Sequence, residues 1–130
     1  MSDIARLKRR AEFLKVADSG RKSVTPGLIL QMGRPIAAAD AAGKSADIIR
    51  VGFTASRKVG MAVERNRARR RLKAAVAAVM PLHAAPGRDY VVIARNATMA
   101  RPFGALIGDL EAALRQLGAY RGRQAAPGRE

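Results

Sequence analysis

Apolar residues recur at Ile4, Leu7, Ala11 and Leu14, a helical spacing that Ser2 or Asp3 can cap and Gly20 can end. The spacing predicts a helix over residues 4–18. Beyond Pro26-Gly27, the run Leu28-Ile29-Leu30-Gln31-Met32 is short, apolar and bounded by glycines, as a buried strand is. Residues 33–47, rich in Ala, Asp and Gly with Pro35 among them, hold no period and are expected to form a flexible loop between two strands. From Ile48 to Ala55 the alternation predicts another strand, which delivers the chain into its most charged segment.

On a helix following that strand, Ala68, Leu72, Ala75, Val76 and Val79 share one face, while Asn66, Arg67, Arg70 and Lys73 gather on the opposite one. Met80-Pro81 is expected to stop it. The turn Ala84-Ala85-Pro86-Gly87 then leads into Asp89-Tyr90-Val91-Val92-Ile93-Ala94-Arg95, a β-branched run suited to a central strand. A last helix is predicted over 102–117, with Phe103, Leu106, Ile107, Leu110, Ala113, Leu114 and Leu117 on one side, Pro102 in its first turn and Gly118 at its end. Residues 120–130 read as a basic, disordered tail, which leaves 1–119 as a single domain.

Composition sharpens this picture. A chain of 130 residues supplies one domain, and with no Trp and 4% aromatic residues its core must be built from Leu, Ile, Val and Ala. The 25 Lys and Arg against 10 Asp and Glu give a formal charge of +15, a self-repulsion that a polyanionic partner would relieve. A membrane surface would call for a long amphipathic helix bearing Trp or Phe, or a lipidation signal, and neither is legible, so no membrane partner is expected. The absence of cysteine excludes a disulfide framework, a thiolate zinc site and a cysteine nucleophile. The first residues run straight into charge, and no segment approaches the roughly 18 apolar residues of a membrane span, so a cytoplasmic protein is expected.

The charge is concentrated. Five of the seven residues from Arg65 to Arg71 are arginine, and Glu64 is the only acid between Ser56 and Lys73. A guanidinium donates paired hydrogen bonds to phosphate and stacks on bases, which an ammonium cannot do. A merely solvated helix face would interleave glutamate at i,i+4 to offset the repulsion, so this face predicts phosphate binding. Protein-borne catalysis finds no support. His83 is expected on the surface in a turn beside Pro81 and Pro86, and Asp40, Asp47, Asp89, Asp109 and Glu111 are scattered, so no carboxylate dyad or metal cage is predicted. No cofactor is expected on side chains, and any magnesium would be held by the phosphates of the polyanionic partner. A noncatalytic ribosomal or nucleoid-type protein that coats RNA or DNA is the alternative, although the helix-turn-helix partner or dimer seam of a base-reading DNA binder is not legible.

The stretches Arg50-Val51-Gly52-Phe53, Ser56-Arg57-Lys58-Val59-Gly60, Ala62-Val63 and Arg65-Asn66-Arg67-Ala68-Arg69-Arg70-Arg71-Leu72 resemble the signature of the bacterial ribonuclease P protein family. Asp89 to Arg95 resembles the family's late strand, and Glu12-Phe13 with Val16 its first helix, so the resemblance spans most of the chain. It implies an α+β fold: a two-layer α/β domain of the ribosomal protein S5 domain 2-like type, in the order α-β-β-β-α-β-α, with a left-handed βαβ crossover that general handedness rules do not predict. It also implies the protein subunit of an RNA-catalysed endoribonuclease that removes the 5′ leader of precursor tRNA, one protein per catalytic RNA. On that resemblance Arg57, Lys58, Arg65, Asn66, Arg67, Arg69, Arg70 and Lys73 would dock on the catalytic RNA. Phe13, Val16, Gln31 and Ser56 would line a cleft for the single-stranded leader. Ala17 and Gln31 stand where relatives often carry aromatics, which favours phosphate contact over base stacking in that cleft.

Overall fold

The computed structural model describes residues 4–18, 21–34 and 48–121. The capping roles read for Ser2, Asp3 and Gly20, the loop at 35–47 and the tail at 122–130 lie outside the described residues. Strands β1 (Ile4–Arg6), β2 (Arg21–Val24), β3 (Leu28–Met32), β4 (Ile49–Thr54) and β5 (Asp89–Ala94) form one sheet in the order β1-β4-β5-β3-β2. Helices α1 (Arg10–Asp18), α2 (Ala62–His83) and α3 (Phe103–Gln116) complete the described secondary structure, with single 3-10 turns at Arg57–Val59 and Asn96–Thr98. β1 and β5 both run parallel to β4, whereas β3 runs antiparallel to β5 and to β2.

Alternation along the strands gives the sheet two different faces. Leu28, Leu30, Met32, Ile49, Val51, Tyr90, Val92 and Ala94 point to one side, where they meet Ala68, Leu72, Ala75, Val76, Val79 and Met80 of α2 and Leu110, Ala113 and Leu114 of α3 in the main core. The predicted apolar stripe of α2 is therefore the buried one. On the other side a smaller cluster joins Leu7, Val16 and Val91, with Phe13 and Ile93 packed against it. The sheet therefore carries α2 and α3 on one face and α1 on the other, one helical layer more than the two-layer expectation.

The start of the chain departs from the predicted helix at 4–18. Ile4–Arg6 pairs with Ile49–Val51, and the Leu7 N–H extends the ladder by donating to the Val51 carbonyl at 3.0 Å. The order is accordingly the expected α-β-β-β-α-β-α preceded by one edge strand. Helix α1 begins at Arg10 because Glu12 folds back onto its N-terminus: its Oε1 accepts from the backbone N–H of Arg9 at 3.0 Å and of Lys8 at 3.1 Å. Its true buried face is Phe13 and Val16, while Leu14 is exposed. The stripe read through Ile4, Leu7, Ala11 and Leu14 merges a strand with a helix.

Two further readings change at the far end. Helix α2 continues through Pro81 to His83, because a proline in the last turn forfeits only one donor, and the Ala84 N–H still reaches the Met80 carbonyl at 3.1 Å. His83 is therefore the last residue of a helix instead of a turn residue. Tyr120, read as the start of a tail, bridges antiparallel to Ala84. In α3, Leu106, Leu110, Ala113 and Leu114 are buried as predicted, but Phe103 stays 41% exposed in the first turn. Among the described residues no helix is long and apolar enough to cross a membrane.

Glu12 also accepts from the Arg50 guanidinium at 3.3 Å, and Arg50 in turn holds Asp89 through two contacts of 2.7 Å, so α1 is pinned to β4 and β5. The Arg9 backbone N–H first, then that of Lys8 and the Arg50 charge, holds the Glu12 carboxyl below the usual glutamate range against the opposing effect of partial burial. Because the folded value is depressed, this stabilisation is present at neutral pH and is lost as pH falls through the folded value. Glu12→Gln is expected to lower the urea midpoint at pH 7 and to match the parent in strongly acidic solution, as paired denaturation curves will record.

Candidate nucleic-acid interface

The basic helix is set up by the residues before it. Gly60 has φ 147°, a region that L side chains rarely adopt, and a Cβ there would lie 2.6 Å from Glu64 Oε1. The space left by glycine lets the Glu64 carboxylate fold back and accept from the Met61 N–H at 2.6 Å. Glu64 thus satisfies a helix N-terminal donor and sits at the positive end of the helix dipole. It is the one acid in the segment, and its charge serves the cap without forming an ion pair to an arginine.

The arginines that follow divide by what they touch. Arg65 is half-buried and donates to the Gly60 carbonyl at 3.1 Å. Arg69 donates to Asn66 Oδ1 at 2.7 Å, so the asparagine orients a guanidinium. Arg71 turns inward, donating to the carbonyls of Thr98, at 3.0 Å, and of Arg101. The side chains of Arg67 and Arg70 lie on the exposed face and form no hydrogen bond or ion pair to any described residue. The ion pairs among the described residues join Arg50 to Glu12 and Asp89, and Arg101 to Asp109; none involves α2.

Around this face the structure brings together most of the predicted docking residues. Arg57 and Lys58 are exposed on the 3-10 turn that precedes α2, which Ser56 caps by accepting from the Lys58 N–H at 3.3 Å. Lys73 lies at the edge of the exposed face, with its ammonium 5.9 Å from the centroid of Phe53. Arg6 stands over the same ring at 5.8 Å, an exposed cation that sequence reasoning missed. No local signal could have found it, since only the pairing of β1 with β4 brings Arg6 beside Phe53. Met61 and Val63, 77% and 71% exposed, set two apolar side chains among these cations.

The predicted cleft residues are only partly gathered. Pairing aligns Gly52, Val91, Gln31 and Lys22 across the sheet, and next to them Thr54, Ile93, Ile29 and Val24. α1 covers the Gly52–Val91 end of the first row, leaving the second as a half-exposed trough. Phe13 is seated directly over Gly52, where an added Cβ would come within 2.5 Å of the ring. Phe13 and Gln31 therefore share the α1 side of the sheet. Val16 does not line the trough as a contact surface: it is 2% exposed, buried between α1 and the sheet with Leu7 and Val91. Ser56 is exposed at the 3-10 turn, where its hydroxyl is engaged as a cap.

Other arginines serve as internal ties. Arg95 donates to the Thr25 carbonyl at 2.6 Å, and the Thr98 hydroxyl donates to the Gly27 carbonyl at 2.7 Å. Arg101 grips Asp109 through contacts of 2.5 and 3.0 Å. Together with Arg71 these bonds knot α2, the β2–β3 turn, the Asn96–Thr98 turn and α3. Among the described residues no three metal-ligating side chains gather closely enough to hold an ion.

Comparison with known proteins gives one consistent result. The family profile described as Ribonuclease P matches residues 1–118. The ribonuclease P protein component of Paramagnetospirillum magneticum is 55% identical over 123 residues, covering 93% of this chain and 88% of that protein. That of Gluconacetobacter diazotrophicus is 50% identical over 120 residues, covering 91% and 96%. Among solved structures, the RNase P protein of Staphylococcus aureus superposes with a TM-score of 0.68 at 21% identity, covering 89% of this chain and 97% of that one. The Thermotoga maritima protein gives 0.66 at 23%, covering 90% and 98%. At those identities the structural likeness speaks to the fold.

The contrast between neighbouring arginines is measurable. Arg71→Ala removes charged donors from two carbonyls and is expected to cost about 2–4 kcal/mol, whereas Arg70→Ala should leave the denaturation midpoint near that of the parent; urea unfolding of the two variants side by side tests the division.

Proposed function

The chain belongs to the ribonuclease P protein family, and from that premise we propose that it is the protein subunit that binds the catalytic RNA and the 5′ leader of precursor tRNA and supports endonucleolytic removal of the leader. The observation that carries this reading is the exposed face of α2. Arg67 and Arg70, flanked by Asn66, Arg69 and Lys73, are held on a helix whose opposite side is buried, and no carboxylate among the described residues neutralises them. Uncompensated arginines on a helix fixed by its buried face suit a phosphate backbone, because the cost of ordering the main chain that carries them has already been met in folding.

Arg57, Lys58 and Arg65 extend the docking surface toward the start of α2, and Arg6 extends it toward the sheet edge. Met61 and Val63 offer apolar contact to sugar or base edges within it. The trough along Thr54, Ile93, Ile29 and Val24, with Phe13 and Gln31 beside it, is the path we assign to the leader. Its half-exposed, largely apolar row of side chains suits a sequence-tolerant grip, which an enzyme serving many precursors requires. In this reading the phosphodiester chemistry and its magnesium belong to the RNA, one protein binds per RNA, and the complex is cytoplasmic. The finer fold assignment goes with it: a single domain through residue 119, the ribosomal protein S5 domain 2-like type, and a left-handed β4-α2-β5 crossover.

Reconstitution with a ribonuclease P RNA should stimulate leader removal at low magnesium; no stimulation, with equal binding to random duplex DNA, would favour a noncatalytic coating protein. Replacing Arg67 and Arg70 by alanine should weaken RNA affinity and flatten its salt dependence, each lost phosphate contact removing roughly 0.7–0.9 from the logarithmic slope. An unchanged slope in a binding titration would remove the basis of the assignment.

A further inference from the structure

A second concentration of positive charge lies at the other end of the molecule. Where β4 and β5 begin and α2 and α3 end, the topology gathers Arg21, Arg88, Arg115 and Arg121. From Arg67 to His83 the helix advances sixteen residues, about 24 Å at 1.5 Å per residue. That span is about three Debye lengths at physiological ionic strength, so the two ends act on counterions independently.

This corner is built, not frayed. Tyr120 bridges to Ala84, the Ala85 N–H donates to the Ala119 carbonyl at 2.9 Å, and the Arg121 N–H donates to the His83 carbonyl. The rings of His83 and Tyr120 stack with centroids 4.9 Å apart and planes 9° from parallel. The Arg115 guanidinium lies 4.1 Å from the centroid of Tyr120. His83 Nδ1 donates to the Arg121 carbonyl at 2.8 Å. These contacts hold the Arg115 guanidinium and the Arg121 main chain, both residues exposed, at defined positions.

No ion pair among the described residues neutralises the charge at this end. Arg21 donates to the Leu117 carbonyl at 2.9 Å and Arg88 to the Gly33 carbonyl at 3.0 Å, bonds that orient a guanidinium without neutralising it. Of the described carboxylates, Glu12 and Asp89 bind Arg50, and Glu111, one turn before Arg115 on α3, forms no ion pair. The positive charges of Arg88 and Arg121 converge on Tyr90, whose phenol burial nonetheless pushes up to about 12.

We propose that Arg21, Arg88, Arg115 and Arg121 form a second phosphate-binding surface for RNA backbone, separate from the arginine face of α2, with Tyr120 as the positioning residue that holds Arg115 and Arg121 in place. The inference rests on the RNA-binding reading above. A protein with basic surfaces at both ends of one long helix bridges two separated backbone segments, either of the RNA subunit alone or of that subunit and the precursor.

The test is the pair Arg115→Gln and Arg121→Gln in the full chain, measured by salt titration of binding to the ribonuclease P RNA and, in the holoenzyme, to precursor tRNA with and without a leader. We expect the slope to become shallower by about 1.5 for the pair. A change in the first titration places the contact on the RNA subunit, and a change confined to leader-bearing precursor places it on the leader. Arg115→Lys with Arg121→Lys should restore most of the slope, and Tyr120→Leu should lose part of it with all charges kept. Unchanged slopes in every titration, beside a loss in the Arg67 and Arg70 variant, would overturn the second surface while leaving the first. No loss in either pair would overturn both. A lysine pair as defective as the glutamine pair, or a drop in melting temperature that accounts for the glutamine loss, would also overturn the assignment to charge.

Discussion

Burial of one side of α2 is the constraint on which the rest of this protein depends. Ala68, Leu72, Ala75, Val76, Val79 and Met80 lock the helix onto the sheet and α3, and only a helix fixed in this way can hold Arg67 and Arg70 on one face without a compensating acid. In a free helix such like charges would repel and favour unfolding. Here the apolar face supplies the opposing free energy, and the residual repulsion becomes affinity for a polyanion. Folding and binding are therefore coupled through one element, with hydrophobic burial on one side of it and electrostatics on the other.

The arginines show how context divides a single residue type. Arg50, Arg71, Arg95 and Arg101 reach inward or across the surface to carbonyls and carboxylates, and they tie elements that are distant in sequence. Arg67, Arg70, Arg115 and Arg121 are exposed and form no ion pair among the described residues, with Arg115 set against the Tyr120 ring. One set of ties joins α2 to the Asn96–Thr98 turn, the β2–β3 turn and α3, and the other pins α1 to β4 and β5. Arg71 in particular fixes the helix that carries the exposed guanidiniums to the Asn96–Thr98 turn.

The sheet separates two tasks by its alternation. One face builds the core that supports α2; the other receives α1 through Gly52, Phe13 and Val16 and leaves an open row beside it. Gly52 matters because the Phe13 ring occupies the space of its missing side chain, which lets α1 lie close to the strands. The Glu12–Arg50–Asp89 network then sets the orientation of α1. The docking face, the trough and the far basic corner are thus placed by three different parts of one small scaffold.

Much of this was written locally. The strands at Leu28–Met32, Ile49–Thr54 and Asp89–Ala94, the apolar face of α2 and the last helix followed from periodicity, because alternation and helical spacing record which side of a segment is buried. The arginine cluster followed from composition, and its family from the residues around it. Tertiary structure alone decided what depends on partners far away in the chain. Ile4 to Arg6 became a strand because residues 49–51 offered a ladder, although local spacing suited a helix. Arg71 turned inward while Arg70 did not, because its carbonyl partners lie 27 and 30 residues further on. Val16 was buried, Phe13 was seated on Gly52, and Tyr120 was drawn back to His83, each through a contact between distant segments. Sequence periodicity senses neighbours within a turn or two of helix or strand, and the choice among like-charged or like-sized side chains is made by register and topology.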